Sequence, residues 1–250
     1  MRFTAPLRRT LIQRHIEEIN QYTAKAFSIG GLYAPFPDVN MVDFARYPEE
    51  HKSMKVMSDG DHRGYSRAQM ETVPFKPDEI PEEYKSGDPN APPPMYAKFS
   101  GVIDINIPPG VPGIFRSGYT GWRTPDPKWT LFGKTYFNCE ALAFLGLRFK
   151  ADHRSYYVNI QCDSHVPTDL WQHRLFARTP GEWETVYIPF QDFVKTTEGN
   201  VFEKQGYWPR HKIQSVGMSL IDGIPGPFEM CIDKIWASDR REMDEDSPLV

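Results

Sequence analysis

Three groups of residues in this chain have types and spacings from which chemistry could be built. Cys162, taken with His165 or His173, has the makings of a thiolate–imidazole pair. In such a pair the ring nitrogen removes the thiol proton and leaves a nucleophilic sulfur. The same residues also read as a buried thiol near two unrelated histidines, and that is the reading adopted. The turn Ser58-Asp59-Gly60-Asp61-His62-Arg63-Gly64 brings two carboxylates close together, as a site for a hard cation would. Its alternative is a tight turn held by Asp side chains that accept from the backbone. Trp122, Trp129 and Trp171 would stack sugar rings if all three faced solvent; otherwise they pack in the core or at its rim. The chain has no GxSxG elbow, P-loop, GxGxxG, HExxH or EF-hand loop, and no His and Cys spacing suits zinc. The sequence therefore nominates no catalytic residue, no metal ligand and no cofactor site.

A fourth constellation suits holding a partner. Along successive strand-like segments the outward positions read Phe144, Arg148 and Lys150; then Tyr157, Asn159 and Gln161; then Gln172, Arg174 and Arg178. If those segments are neighbours, their free faces merge into one polar, net-positive patch with aromatic side chains. Arg and Tyr are favoured where interfaces concentrate their binding energy. The expected partner-binding residues are Arg148, Lys150, Tyr157, Asn159, Gln161, Gln172 and Arg174. The alternative is a merely solvated face.

The elements that would position these residues are mostly strands. Apolar residues recur at every second place in Phe99–Ile107, Ala143–Phe149, Tyr156–Ile160, Trp171–Ala177 and Val186–Phe190. Further strands are expected over Ser66–Val73, Phe115–Trp122, Ile213–Leu220 and Phe228–Ile235, with Pro-Gly turns between them. Such a run of strands with little helical pattern predicts an all-β antiparallel sandwich or jelly roll. The stretch Pro74–Pro94 holds seven prolines and reads as a long surface loop, an insertion within the domain. The sandwich is expected over residues 52–238, with the insertion at 74–97 and a charged tail at 239–250.

Residues 1–51 are read as a helix and an extended arm. The helix spans Pro6–Phe27, and Tyr33–Pro48 forms the arm. Arg2, Arg8, Arg9 and Arg14 precede the first acidic residue, and Leu11, Ile12, Ile16 and Ile19 share one helical face. That pattern fits a mitochondrial targeting segment and equally a helix that docks on its own domain or on a partner.

Composition narrows the classes further. Apolar residues are 40% of the chain and aromatics 14%, which argues against a fully disordered chain. The net charge of −4 and a pI near 6.0 lack the basic excess of a nucleic-acid binder. Three cysteines, an odd number without CxxC spacing, and the absence of an Asn-x-Ser/Thr sequon lean away from secretion. The longest apolar run, Ala141–Leu147, is far too short to span a bilayer, so a soluble or peripheral protein is expected.

Seven short stretches, taken in order, resemble one family. They are Ser58–Ser66, Arg116-Ser117-Gly118-Tyr119, Leu145–Asp152, Tyr157-Val158-Asn159-Ile160, Gly181–Phe190, Lys212–Gly217 and Gly226–Asp233. The set is similar to the complex I intermediate-associated protein family of mitochondrial assembly factors. The resemblance runs from about Val56 to Ala237. It implies a galactose-binding-like jelly roll and a chaperone-like, non-catalytic activity. It implies an early membrane-arm assembly intermediate of respiratory complex I as the thing bound, with membrane-arm subunits and other assembly factors as partners. It also implies a peripheral position on the matrix side of the inner membrane, no cofactor and no nucleic acid, and it favours targeting for the N-terminal helix. Two features depart from the family pattern: the long proline-rich insertion, and Lys150-Ala151-Asp152-His153-Arg154, which lacks two glycines expected in that turn. The competing reading from a different class is a carbohydrate-binding module on the same fold.

Overall fold

The structure, a computed structural model, describes residues 36–86, 91–109, 117–130, 133–164, 166 and 168–239. The helix expected over Pro6–Phe27 and the charged run Arg240–Asp246 lie outside the described residues. The strands in chain order are β1 (Val39–Asp43), β2 (Lys55–Ser58), β3 (Arg67–Pro74), β4 (Met95–Ile103), β5 (Thr120–Arg123), β6 (Trp129–Thr130), β7 (Gly133–Lys134) and β8 (Phe144–Ala151). They continue with β9 (Tyr156–Cys162), β10 (Asp169–Leu175), β11 (Glu184–Pro189), β12 (Val194–Thr197), β13 (Asn200–Val201), β14 (Ile213–Leu220) and β15 (Gly226–Ser238).

Two antiparallel sheets face each other. The first runs β11-β8-β15-β4-β3, with β1 also paired to β15; the second runs β13-β12-β10-β9-β14-β5-β2. Strands β6 and β7 make a separate small hairpin. From β8 to β9, β10 to β11, β11 to β12 and β14 to β15 the chain crosses between the sheets. That repeated crossing makes a jelly-roll sandwich, as the periodicity predicted.

Alternation decides what each strand buries. On β9, Tyr156, Val158, Ile160 and Cys162 point inward and are buried, while Tyr157, Asn159 and Gln161 point outward. Leu145, Leu147 and Phe149 from β8 meet them across the core, together with Phe99, Met230, Ile232 and Ile235. Each such fully buried side chain contributes roughly 1.5–3 kcal/mol. Trp122 closes the second sheet's side of the core, edge-on to Phe44 with ring centroids 6.4 Å apart.

The structure corrects four expectations. Strand β8 belongs to the first sheet while β9 and β10 belong to the second, so the expected single patch is split between two outer faces. Tyr33–Pro48 is not all extended arm: β1 pairs Val39 with Ala237, and Val42 and Phe44 are completely buried. The fold therefore begins upstream of Lys52. A register shift between Asn40 and Val42 breaks the alternation by which this strand would be recognised. Strand β4 ends at Ile103, leaving Ile105 and Ile107 exposed beyond it. The strand expected over Phe115–Trp122 is observed as Thr120–Arg123, with residues 110–116 outside the described set.

The proline-rich insertion is also more than a surface loop. Phe75, Tyr96 and Cys231 form a second buried cluster with Val73, Ile80 and Trp183 packed around it. Phe75 and Trp183 have ring centroids 5.0 Å apart, and Tyr96 and Trp183 5.2 Å. Residues 75–86 thus form a strap over the outer face of the first sheet. No helix among the described residues is long and apolar enough to cross a membrane.

Candidate functional site on the outer face of the second sheet

Five of the seven expected residues, Tyr157, Asn159, Gln161, Gln172 and Arg174, share the outer face of the second sheet. In the β9–β10 register Asn159 lies opposite Gln172 and Tyr157 opposite Arg174. Their side chains join into a ladder across four strands. The Thr196 hydroxyl donates to Gln172 Oε1 at 2.9 Å, and Gln172 Nε2 donates to Asn159 Oδ1 at 2.7 Å. Asn159 Nδ2 then donates to Ser219 Oγ at 2.8 Å, and Ser215 Oγ to Gln161 Oε1 at 3.3 Å. Every bond in the main run donates in the same direction, from β12 toward β14. Such a chain fixes the amide orientations and holds the face rigid.

Arg174 stands at the rim of this ladder. Its Nε donates to the Tyr157 hydroxyl at 3.1 Å. The guanidinium lies 5.7 Å from the Tyr157 ring centroid and 6.0 Å from that of Phe176, so two rings bracket it. The other Lys and Arg side chains on this sheet's strands are paired, Arg123 and Lys55 with Asp126 and Lys195 with Asp169, and beyond β10 Arg178 pairs with Glu184. Against the cost of burial, hydrogen bonds from Lys195, Thr197 and Ser164 hold the Asp169 carboxyl below its ordinary range.

The floor of the face was not foreseen from sequence. Ser215, Gly217 and Ser219 of β14 alternate with buried Val216 and Met218, and Gly121 of β5 pairs with Ser219. A side chain added at Gly217 would meet the Trp122 carbonyl oxygen at 2.0 Å, and at Gly121 the Met218 carbonyl oxygen at 2.9 Å. Small residues are therefore required here, and they leave a low, hydroxyl-bearing strip beside taller Tyr157 and Arg174. The signal was available in the small–apolar alternation of Ser215–Ser219. What it lacked was any sign that β14 lies next to β9.

Arg148 and Lys150 belong to the other outer face and are engaged there. Lys150 Nζ donates to both Glu79 carboxylate oxygens at 3.2 and 3.1 Å, and lies 5.2 Å from the Trp183 ring centroid. Trp183 Nε1 also donates to Glu79 at 3.0 Å. Arg148 Nε lies 3.3 Å from Asp233, whose side chain is 0% exposed and accepts no hydrogen bond of normal geometry. Burial pushes the Asp233 carboxyl up to about 7; Arg148 opposes the rise, and Asp43 and Glu83 add to it. Phe144 and Arg178 do not join the second sheet's ladder: Phe144 lies on β8, and Arg178 pairs with Glu184.

The candidate chemical groups serve the fold. Cys162 Sγ accepts from Trp208 Nε1 at 3.1 Å, and burial pushes the thiol up to about 12. His173 pairs with Val158, four residues along β9 from Cys162, and packs on Phe193 with centroids 5.5 Å apart. Burial holds its imidazole below the ordinary histidine value. The two do not form a thiolate–imidazole pair, and His165 lies outside the described residues. In the Asp59 turn, one carboxylate accepts from Ser66 N at 2.8 Å, Ser117 Oγ at 2.8 Å and Gly118 N at 2.6 Å. Although burial works the other way, these bonds hold Asp59 below the usual carboxylate range. Asp61 accepts instead from Ser58 N at 2.8 Å. This is the bonded turn rather than a cation cage, and no group of three metal-binding side chains occurs among the described residues. Trp122 is in the core, Trp171 stacks on Trp208 at 4.5 Å, and Trp129 alone of the three is exposed, at 75%. The three share no platform.

Two of the ordered motifs are thus tied together by Asp59, which links Ser58–Ser66 to Ser117-Gly118-Tyr119. Arg154 does the same at another edge. It forms a bidentate pair with Asp222 at 2.8 and 2.7 Å and donates to the Pro227 carbonyl at 3.0 Å. Asp152 accepts from Glu229 N at 2.8 Å. The glycine-less turn around Asp152 forms without any left-handed residue.

The family model described as Complex I intermediate-associated protein 30 matches residues 42–232, from β1 into β15. The chain belongs to this family. It is 39% identical over 234 residues to complex I intermediate-associated protein 30, mitochondrial, of Neurospora crassa, covering 90% of this chain and 82% of that protein. The mouse protein of the same name is 31% identical over 123 residues, or 48% of this chain and 38% of that one. The Drosophila melanogaster protein is 27% identical over 127 residues, 49% and 43% of the respective chains. The chain thus aligns with less than half the length of these two animal family members. Among solved structures, the family 11 carbohydrate-binding module of the cellulosomal cellulase Lic26A-Cel5E of Clostridium thermocellum overlays with a TM-score of 0.47 at 15% identity. That overlay covers 83% of this chain and 98% of the module. The sandwich assignment rests on this chain's own strand pairing.

Proposed function

We propose that this protein is a mitochondrial assembly factor for respiratory complex I, acting as a chaperone without catalysing a reaction. On this reading it binds an early membrane-arm intermediate, in company with other assembly factors, from the matrix side of the inner membrane, where it is peripherally attached. The outer face of the second sheet is where it holds its partner. The observation that carries the reading is the match of the family model across residues 42–232, which takes in nearly all of both sheets. The face adds support of its own. Its amide and hydroxyl groups are held in fixed orientations, and its rim carries an aromatic-bracketed Arg, a residue type enriched at interface hot spots.

The test is affinity purification of the tagged protein from mitochondria, followed by mass spectrometry. Membrane-arm subunits of complex I are expected to co-purify, and the finished enzyme is not. Their reproducible absence would sink the proposal. Arg148→Glu is a poor probe of this surface, because Arg148 neutralises buried Asp233 and its loss would act on folding.

A further inference from the structure

The second sheet's outer face carries cationic charge and no anionic charge. None of the outward positions on β5, β9, β10, β12 and β14 is Asp or Glu, in a chain whose net charge is −4. Acids just beyond its strands are already engaged: Asp126 by Arg123 and Lys55, Asp163 by Gln214, and Asp222 by Arg154. Arg174 is different. Its Nε is used by Tyr157, its guanidinium carbon lies 5.7 and 6.0 Å from the Tyr157 and Phe176 ring centroids, and its two terminal nitrogens meet no acceptor among the described residues. A guanidinium held this way has little freedom left to lose on binding. Its open edge has the spacing of a carboxylate, which it would take through two parallel hydrogen bonds.

We propose that Arg174 is the receptor for a carboxylate on a protein partner, and that the partner lays an acidic segment across the Thr196–Gln172–Asn159–Ser219 ladder. The inference rests on the assembly-factor reading and names the chemistry of its contact. The ladder supports a polypeptide occupant. Gln172 and Asn159 each use one amide N–H within the ladder, so the second N–H of each remains for a peptide carbonyl. Val194 and Phe176, exposed at the border, supply apolar contact. A membrane surface is disfavoured, because attachment to anionic lipid draws on several clustered Lys or Arg side chains, each adding about 1 kcal/mol, and among the described strand residues of this face Arg174 is the single unpaired one.

The experiment places a photo-crosslinking amino acid at Val194 in the full-length protein, expressed in mitochondria, and identifies the captured peptide by mass spectrometry. The expected product is a segment of a complex I subunit or assembly partner with an Asp or Glu within a few residues of the crosslink. Arg174→Glu should lower recovery of that partner about tenfold or more, the scale of a lost charge-assisted pair. Arg174→Lys should restore only part, because it keeps the charge and loses the fork. Reversing the partner's acid to Arg should rescue Arg174→Glu. An unchanged thermal melting curve for Arg174→Glu separates binding from folding, with Arg174→Gln as the milder variant if it shifts. Crosslinks to lipid, or to a segment without a carboxylate, overturn the proposal. So does an absence of crosslinks while the wild type still brings down complex I subunits, an outcome that leaves the assembly role standing. If the wild type recovers no complex I protein, the broader reading fails as well.

Discussion

The two outer faces of this sandwich solve opposite problems with similar residues. Each carries Arg beside aromatic rings. On the first sheet, Lys150 and Arg148 sit under the strap, spend their charge on Glu79 and Asp233, and lie against Trp183. On the second, Arg174 lies over Tyr157 and Phe176 with no acid to meet it. The difference comes from chain topology, since β8 and β9 are consecutive in sequence and in different sheets. A covered charge acts on stability, and an open one acts on recognition. Substitutions on the two faces should therefore separate into two classes.

The largest expected contrast is in pH dependence. Asp233 has its carboxyl raised to about 7 in the folded protein, against 3.8 when exposed. Between those values the folded state binds more protons than the unfolded state, so stability falls as pH rises from about 4 to 7. A difference of about three units corresponds to roughly 4 kcal/mol in the limit. Urea unfolding at a series of pH values should show this slope, and Asp233→Asn should flatten it. Asp59, Asp169 and Asp222, held low, act with the opposite sign. Their contribution is present above the ordinary carboxylate range and is lost as pH falls through their lowered values. A parent protein that gains stability steadily from pH 4 to 7 would break the account.

Next comes removal of the covered cation. Arg148→Met removes the counter-charge that opposes the rise of the Asp233 carboxyl; it should cost little near pH 7, where Asp233 takes up a proton instead, and about 3 kcal/mol well above that pH, where the carboxylate must stay charged. Pairing it with Asp233→Leu should recover most of that loss, because two apolar groups need no partner. The shift in urea midpoint for the single and double variants checks this.

Trp183→Ala should cost about 2 kcal/mol by opening the cluster with Phe75 and Tyr96. It should also admit protease to residues 75–86, with cleavage there well ahead of the rest of the domain.

The smallest effects belong to the open face. Asn159→Ala should cost at most about 1 kcal/mol and Arg174→Ala less than about 0.5 kcal/mol. A loss of 2 kcal/mol at Arg174, read by thermal or urea unfolding, would make it a structural residue and erase the contrast.

Much of the fold could be read directly. Alternation in Tyr156–Cys162 and Phe144–Ala151 names the buried side chains because a half-exposed strand must turn every second residue inward. Strand β1 escaped because its bulge and the burial of Met41, Val42 and Asp43 remove the alternation. The strap escaped because prolines and acids carry no period, although Phe75 and Ile80 are the residues that anchor it. Of the candidate site, Tyr157 and Asn159 on β9 and Gln172 and Arg174 on β10 were legible because a short connection joins those strands and makes them neighbours. Thr196 and Ser219 were not, since both reach the ladder through sequence-distant pairing.

What the sequence determined by itself is which side chains face inward along the regularly alternating strands, and the family to which the ordered motifs belong. Both depend on local order, either the two-residue repeat of a strand or the succession of short motifs. Only the tertiary structure decided which sheet each strand enters, and with it which charges are covered and which stay open. The pleat of a strand specifies a side and not a neighbour. Arg148 and Arg174 are alike as outward-facing arginines on alternating strands, and it is the buried Asp233 beneath one and the acid-free ladder beside the other that set them apart.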